Sequence, residues 1–183
     1  MEDDGNRKAL IRAASALLRQ RGYAGVGMSD ILAATGLSKG SLYYHFPGGK
    51  QQLALEATQW AECAVGRVIE HSFVEAADFV EGAKALCRAI VGLATEQGRF
   101  TGCPVLSIIQ AGDEAPNLRI AGASILAGWT GQIAAHARRF GYCSPEEAAD
   151  LLVMQVEGAW VLAMARQDAT PFKTLERCLA NTS

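Results

Sequence analysis

One stretch, Ile31 to Phe46, constrains this chain more than any other: ILAATGLSKGSLYYHF. Two short amphipathic segments flank Gly36, and Leu37-Ser38 follows it, which reads as helix, tight turn, helix. Gly36 can adopt the left-handed backbone that closes the first helix, and the Ser38 hydroxyl can cap the exposed amides of the second. On a helical wheel Leu42 and Phe46 share the buried side. Gly40, Ser41 and Tyr44 then point outward, with Tyr43 and His45 on the flanks. The outward face offers a glycine that permits close approach, short donors and a phenol, with no carboxylate to repel phosphates. Lys39 opens this helix and Lys50 follows it, so cations bracket a surface suited to a duplex groove.

Charge sharpens that reading. The formal net charge of −2 alone argues against nucleic acid. Residues 6 to 50, however, carry seven Lys and Arg against the single acid Asp30, a balance of +6. The acidic excess lies in Glu2-Asp3-Asp4 and after Lys50. A basic head on an acidic body suits a protein that presents one end to DNA. The 183 residues, half of them apolar, allow one large or two small domains with a real core.

Gly22-Tyr23, Asp30-Ile31, the run from Gly36 to Phe46 and Lys50 together resemble the tetracycline-repressor (TetR) family of bacterial transcriptional regulators. The likeness covers the first third of the chain; the remainder is similar in helical character. Leu32 and Thr35 stand where the family commonly has alanine. Phe46-Pro47-Gly48-Gly49-Lys50 is similar to a branch often associated with drug-resistance genes. The resemblance implies an all-α fold. Residues 1–48 would form a three-helix helix-turn-helix DNA-binding domain, and 49–183 a helical effector-binding and dimerisation domain. It implies a homodimeric, ligand-responsive regulator, a repressor released from a palindromic operator by a small apolar molecule. Ser29, Ser38, Lys39, Gly40, Ser41, Tyr43, Tyr44, His45 and Lys50 are the expected DNA contacts.

Along the chain, residues 1 to 5 read as loose and Asn6 as a cap, followed by Leu10, Ala14, Leu17 and Leu18 at helical spacing. Gly27 or Ser29 can cap the next helix, with Asp30 a further capping candidate. After Pro47-Gly48-Gly49, a run from Lys50 to about His71 is long enough to leave the head and enter the body. Helices are expected from Glu75 to about Gln97, from Pro104 to Gln110, after an Asn117 cap to near Gly141, after Ser144-Pro145 to about Gln167, and from Thr170-Pro171 onward. No strand pattern stands out. Ile120 to Ala137 runs without a charge but carries Ser124, Thr130, Gln132 and His136, so it reads as a buried helix of a bundle and not as a membrane span.

Trp60, Phe79, Phe100, Pro104, Ile108, Trp129, Trp160 and Met164 are large apolar side chains that can line a cavity if they converge, with Gln110 or Thr130 to orient a ligand. The alternative for each is plain core. Leu152, Val156, Ala159 and Ala163, then Phe172, Leu175 and Leu179, can pack against a second copy as a four-helix bundle, which is where the resemblance places a two-fold dimer. Burial within one subunit is the rival. Cys63, Cys87, Cys103, Cys143 and Cys178 have no zinc or redox spacing and read as buried thiols of a cytoplasmic protein, with thiol sensing as the alternative. No cofactor or metal motif is present, and His45, His71 and His136 have no ligand spacing. Enzyme and DNA-free carrier are therefore the lesser readings.

Overall fold

The computed structural model describes residues 2–96, 98–111 and 115–181, with the side chains of Glu2, Asp3 and Glu96 left aside. Nine helices account for most of them: α1 (Glu2–Arg21), α2 (Met28–Thr35), α3 (Lys39–His45), α4 (Gly49–Val74), α5 (Phe79–Ala94), α6 (Pro104–Ile109), α7 (Pro116–Arg139), α8 (Pro145–Arg166) and α9 (Thr170–Ala180). The fold is all-α, as expected. Contacts divide the chain into two units, one of residues 1–63 and 104–125, the other of 64–103 and 126–183.

The first unit forms around α1. Leu10, Ala14 and Leu18 recur at three- and four-residue steps and meet Val26, Ile31, Leu42 and Phe46 from the segment that follows. Leu53, Ala54 and Ala57 of α4 complete that cluster together with Ile108, Ala111, Ala115 and Leu118. This unit therefore extends beyond residue 48, because α6 and the start of α7 supply apolar cover that α1 lacks within the first 48 residues. Gly112, Asp113 and Glu114, expected to end the α6 segment, lie outside the described residues.

Three start points differ from the sequence reading; one is α7, which begins at Pro116 with Asn117 inside it instead of capping it. The first helix begins at Glu2 instead of Asn6, and Lys8 pairs with Asp4 one turn back. The fifth begins at Phe79 instead of Glu75, because Asp78 accepts the Glu81 N–H at 2.8 Å and acts as its cap.

In the second unit, α9 packs against both α5 and α8. Phe73 sits at its centre, 5.3 Å from the Phe79 ring and stacked on His136 at 4.9 Å, and His136 Nε2 lies 3.1 Å from Glu70. The uncharged run of α7, expected to be buried, is buried along one side only: Trp129, Ile133, Ala134 and Ala137 turn inward, while Ile120, Ala127, Gly131 and Gln132 are exposed. Among the described residues α8 is the one helix long and apolar enough, by length and composition alone, to cross a membrane. Its buried side is spent on helix packing within this unit.

A feature absent from the sequence reading is a minimal antiparallel hairpin, β1 (Thr95–Glu96) with β2 (Arg99–Phe100). Gln167 explains it. At the left-handed end of α8, with φ of 58°, its side-chain amide accepts from the Phe100 N–H at 3.2 Å and donates to the Phe100 carbonyl at 3.1 Å. The amide thus acts as one more rung on an edge that would otherwise lack a partner.

The expectation of buried thiols holds for Cys87 and Cys103 only; Cys63, Cys143 and Cys178 are exposed, each on a helix or loop surface. Burial, with Glu176 nearby, pushes the Cys87 thiol up to about 12, which keeps it protonated and unreactive.

Candidate nucleic-acid interface and ligand cavity

The turn between α2 and α3 is held by local bonds. Gly36 has φ of 68° and donates its N–H to the Leu32 carbonyl at 2.9 Å. Ser38 Oγ accepts the Ser41 N–H at 3.1 Å, and its carbonyl takes the Leu42 N–H. Thr35 adds a bond that alanine would not make: its hydroxyl donates to the Ile31 carbonyl at 2.9 Å. Of the two cap candidates for α2, Gly27 is the N-cap; its N–H donates to Asp30 Oδ2 at 2.7 Å.

Leu42 and Phe46 are fully buried, which fixes the rotation of α3 about its axis. Tyr44 consequently stands 73% exposed and Tyr43 42%. Ser38, Lys39 and Gly40 are exposed, Ser41 and His45 half-buried at the edges, and Ser29 exposed at the start of α2. A Cβ on Gly40 would meet only Ser38 Oγ, at 3.7 Å, so nothing inside the subunit requires glycine there. What Gly40 leaves clear is the outside.

Lys50 places its Nζ 4.1 Å from the Tyr23 ring centroid, and Lys39 lies 5.9 Å from that of Tyr43. Both aromatic contacts hold the amines without neutralising them. The head is less basic than its residue count suggests: Arg7 pairs with Glu56, Lys8 with Asp4 and Arg21 with Asp30. Arg12, Lys39 and Lys50 have no carboxylate partner among the described residues.

A separate small cavity, about 30 Å³, lies wholly within the second unit. Val65 and Ile69 of α4, Leu86 and Ile90 of α5, Trp129 and Ile133 of α7, and Val153, Val156, Glu157 and Trp160 of α8 form its walls. Of the nine expected ligand residues only Trp129 and Trp160 line it. Phe79 is occupied by the Phe73 and Tyr142 rings, Ile108 is core of the first unit, and Trp60 stands 45% exposed. Phe100 is in the hairpin, Pro104 is buried at the start of α6, Gln110 is exposed beyond it, and Met164 is half-buried near the end of α8. Glu157 was missed, though it carries a sequence signal: it is the sole charge between Leu151 and Ala165.

The residues expected at a dimer interface lie mostly within the subunit. Leu152, Val156, Ala159, Ala163, Phe172 and Leu175 are buried inside the subunit, and Leu179 is half-buried. The face that α8 leaves in solvent carries Leu151, Met154, Val161 and Leu162 instead. Beside it runs an apolar groove between α8 and α9 lined by Met154, Gly158, Leu162, Pro171 and Cys178.

Residues 10–57 match the description "Bacterial regulatory proteins, tetR family", and residues 79–178 match "Transcriptional regulator LmrA/YxaF-like, C-terminal domain". The chain belongs to the TetR family. Over 97% of its length it is 32% identical to a helix-turn-helix-type transcriptional regulator of Mycobacterium tuberculosis, 93% of which is covered. The helix-turn-helix-type transcriptional regulator LmrA of Bacillus subtilis is 29% identical, with 95% of this chain and 94% of LmrA covered. Among solved structures, a TetR regulator from Chloroflexus aurantiacus superposes with a TM-score of 0.83 at 29% identity, covering 98% of this chain and 94% of that one. A cysteine mutant of the TetR-family regulator CifR, solved on 26-base-pair operator DNA, shares the fold with a TM-score of 0.83 at 22% identity, covering 94% and 93%. The protein is accordingly a TetR-family transcriptional regulator.

Proposed function

We propose that this regulator is a cytoplasmic homodimeric repressor that binds a palindromic operator through α3 and leaves it when a small, largely apolar molecule enters the second-unit cavity. The supporting observation is the rotation of α3: with Leu42 and Phe46 buried, its free face carries Gly40, Ser41, Tyr43 and Tyr44 between Lys39 and Lys50. Tyr44 and Ser41 read base edges; Ser29, Ser38, Lys39, Tyr43, His45 and Lys50 hold the phosphates on either side. One helix this short buries little surface, so two copies related by symmetry supply the affinity, one helical turn or more apart (~34–36 Å). The function is DNA recognition with no catalytic step; residues 1–48, with Lys50 just beyond them, carry it, while the rest of 49–183 carries ligand and dimer contacts.

The connection is α4. Its first half supplies Leu53, Ala54 and Ala57 to the head's core, and its second half supplies Val65 and Ile69 to the cavity wall. A ligand that favours one tilt of this helix shifts the spacing of the two heads. It acts only through a difference in affinity between the two states. Selection of bound sequences from random duplexes, followed by a screen for compounds that release the best one, tests the reading. A selected palindrome supports it; no preference for any duplex in dilute salt refutes it, as does a cavity ligand that leaves operator affinity unchanged.

A further inference from the structure

Nine of the ten residues that wall the cavity are apolar or indole; the tenth is Glu157. Its Oε1 accepts from the Cys103 thiol at 3.1 Å, and no cation pairs with it among the described residues. A thiol is a weak donor, so this carboxylate is poorly satisfied for a group at an apolar wall. An acid retained there costs stability unless something else uses it.

Resting on the reading of this cavity as the effector site, we propose that its ligand is a lipophilic organic cation, a quaternary ammonium or protonated amine with apolar bulk, and that Glu157 is its counter-charge. Three features of the wall favour a cation over an anion or a neutral acceptor. The Trp160 Nε1–H is already donated to the Thr101 carbonyl at 2.8 Å, so that indole has no donor left for a carboxylate or carbonyl ligand. Trp129 and Trp160 present indole surface, which attracts a cation electrostatically. The side chains turned to the cavity from α4, α5 and α7 are all uncharged, and Cys103 is the other titratable group beside Glu157. Nothing in the wall would neutralise an anion, whereas a cation meets an opposite charge in a low-dielectric setting. At about 30 Å³ the cavity as it stands has room for little more than a water, so a compact aromatic ammonium enters only as the walls move apart.

Burial pushes the Glu157 carboxyl above its ordinary 4.5, the Cys103 hydrogen bond opposing this. A bound cation favours the ionised form, so binding expels a proton from the protonated fraction and strengthens as pH rises through the carboxyl's titration.

The test uses the full-length protein with benzyltrimethylammonium and its uncharged carbon isostere neopentylbenzene, followed by calorimetry or tryptophan fluorescence. The cation is expected to bind at least about tenfold more tightly than the isostere, and Glu157→Gln to abolish that preference without weakening the isostere. Glu147→Gln, an exposed α8 carboxylate, serves as control and should change nothing. Calorimetry in buffers of different ionisation enthalpy should show proton release with wild type and none with Glu157→Gln. Equal affinity for the two probes, or a cation preference that survives Glu157→Gln in protein of wild-type melting temperature, overturns the assignment while leaving the cavity as the effector site. Binding of neither probe at millimolar concentration overturns both readings.

Discussion

Tyr44 stands largely in solvent while Leu42 and Phe46, two positions to either side, are fully buried, and that alternation makes their roles separable. Tyr44→Ala removes an outward phenol without touching the core. The expected result is an unchanged melting temperature and a loss of about 1–3 kcal/mol of discrimination between the selected operator and random duplex. Lys50→Ala should weaken binding to all sequences alike and lower the salt slope by about 1, measured across a salt series. Identical slopes for the two proteins would remove Lys50 from the phosphate contacts. At Glu157 the sign follows from burial. The folded carboxyl titrates above its ordinary 4.5, so the protonated form is the one folding favours. Wild-type stability, relative to Glu157→Gln, is therefore highest below 4.5 and is lost as pH rises through the folded value. Thermal melts of the unliganded pair should nearly coincide in acid, with the Gln variant melting higher at neutral pH. A wild type that gains on the variant as pH rises would contradict this. A charge that costs stability in the empty protein is consistent with a residue kept for binding.

At the scale of elements, α3 is too short to be stable by itself, so its cap and its two anchors carry it. Ser38→Ala deletes the bond to the Ser41 N–H and should cost about 1 kcal/mol. Leu42→Ala should cost about 2–5 kcal/mol, since the side chain is fully enclosed by α1 and its neighbours. Chemical denaturation measures both; a Leu42→Ala cost no larger than that of Ser38→Ala would mean that α3 is not anchored as described. These elements were legible in the sequence because their determinants are local: a left-handed glycine, a cap three residues before the N–H it accepts, and two apolar residues one turn apart. The hairpin was not legible, since it depends on Gln167, far along the chain from Phe100. The cavity walls failed for a related reason. Helical spacing identifies an apolar stripe, but Phe79, Ile108 and Trp129 look alike in it. Only their neighbours make one a ring-stacking partner, one a core residue of the first unit and one a cavity wall.

At the scale of the molecule the same ambiguity decides the dimer. Leu152, Val156 and Ala163 satisfy a heptad-like pattern, yet they are buried within one subunit, where α8 packs on α9 and α5, and the residues in solvent lie on nearly the opposite side of the helix. Leu151, Met154, Val161 and Leu162 form an exposed apolar row on one helix, the kind of patch that marks an association surface. We propose that two copies of the regulator meet there, with the α8–α9 groove receiving the partner's side chains. Met154→Glu, at a position 64% exposed, should leave the subunit folded and raise the dimer dissociation constant by orders of magnitude, because a buried unpaired carboxylate opposes association. Sedimentation at micromolar concentration should then report a monomer of 19.4 kDa. The same variant should lose operator affinity and show a shallower salt dependence, since one head releases about half the counterions that two release. Leu152→Glu would instead unfold the subunit, which separates a residue holding the fold from one holding the partner. A Met154→Glu protein that sediments as wild type and binds the full palindrome would move the dimer to another face.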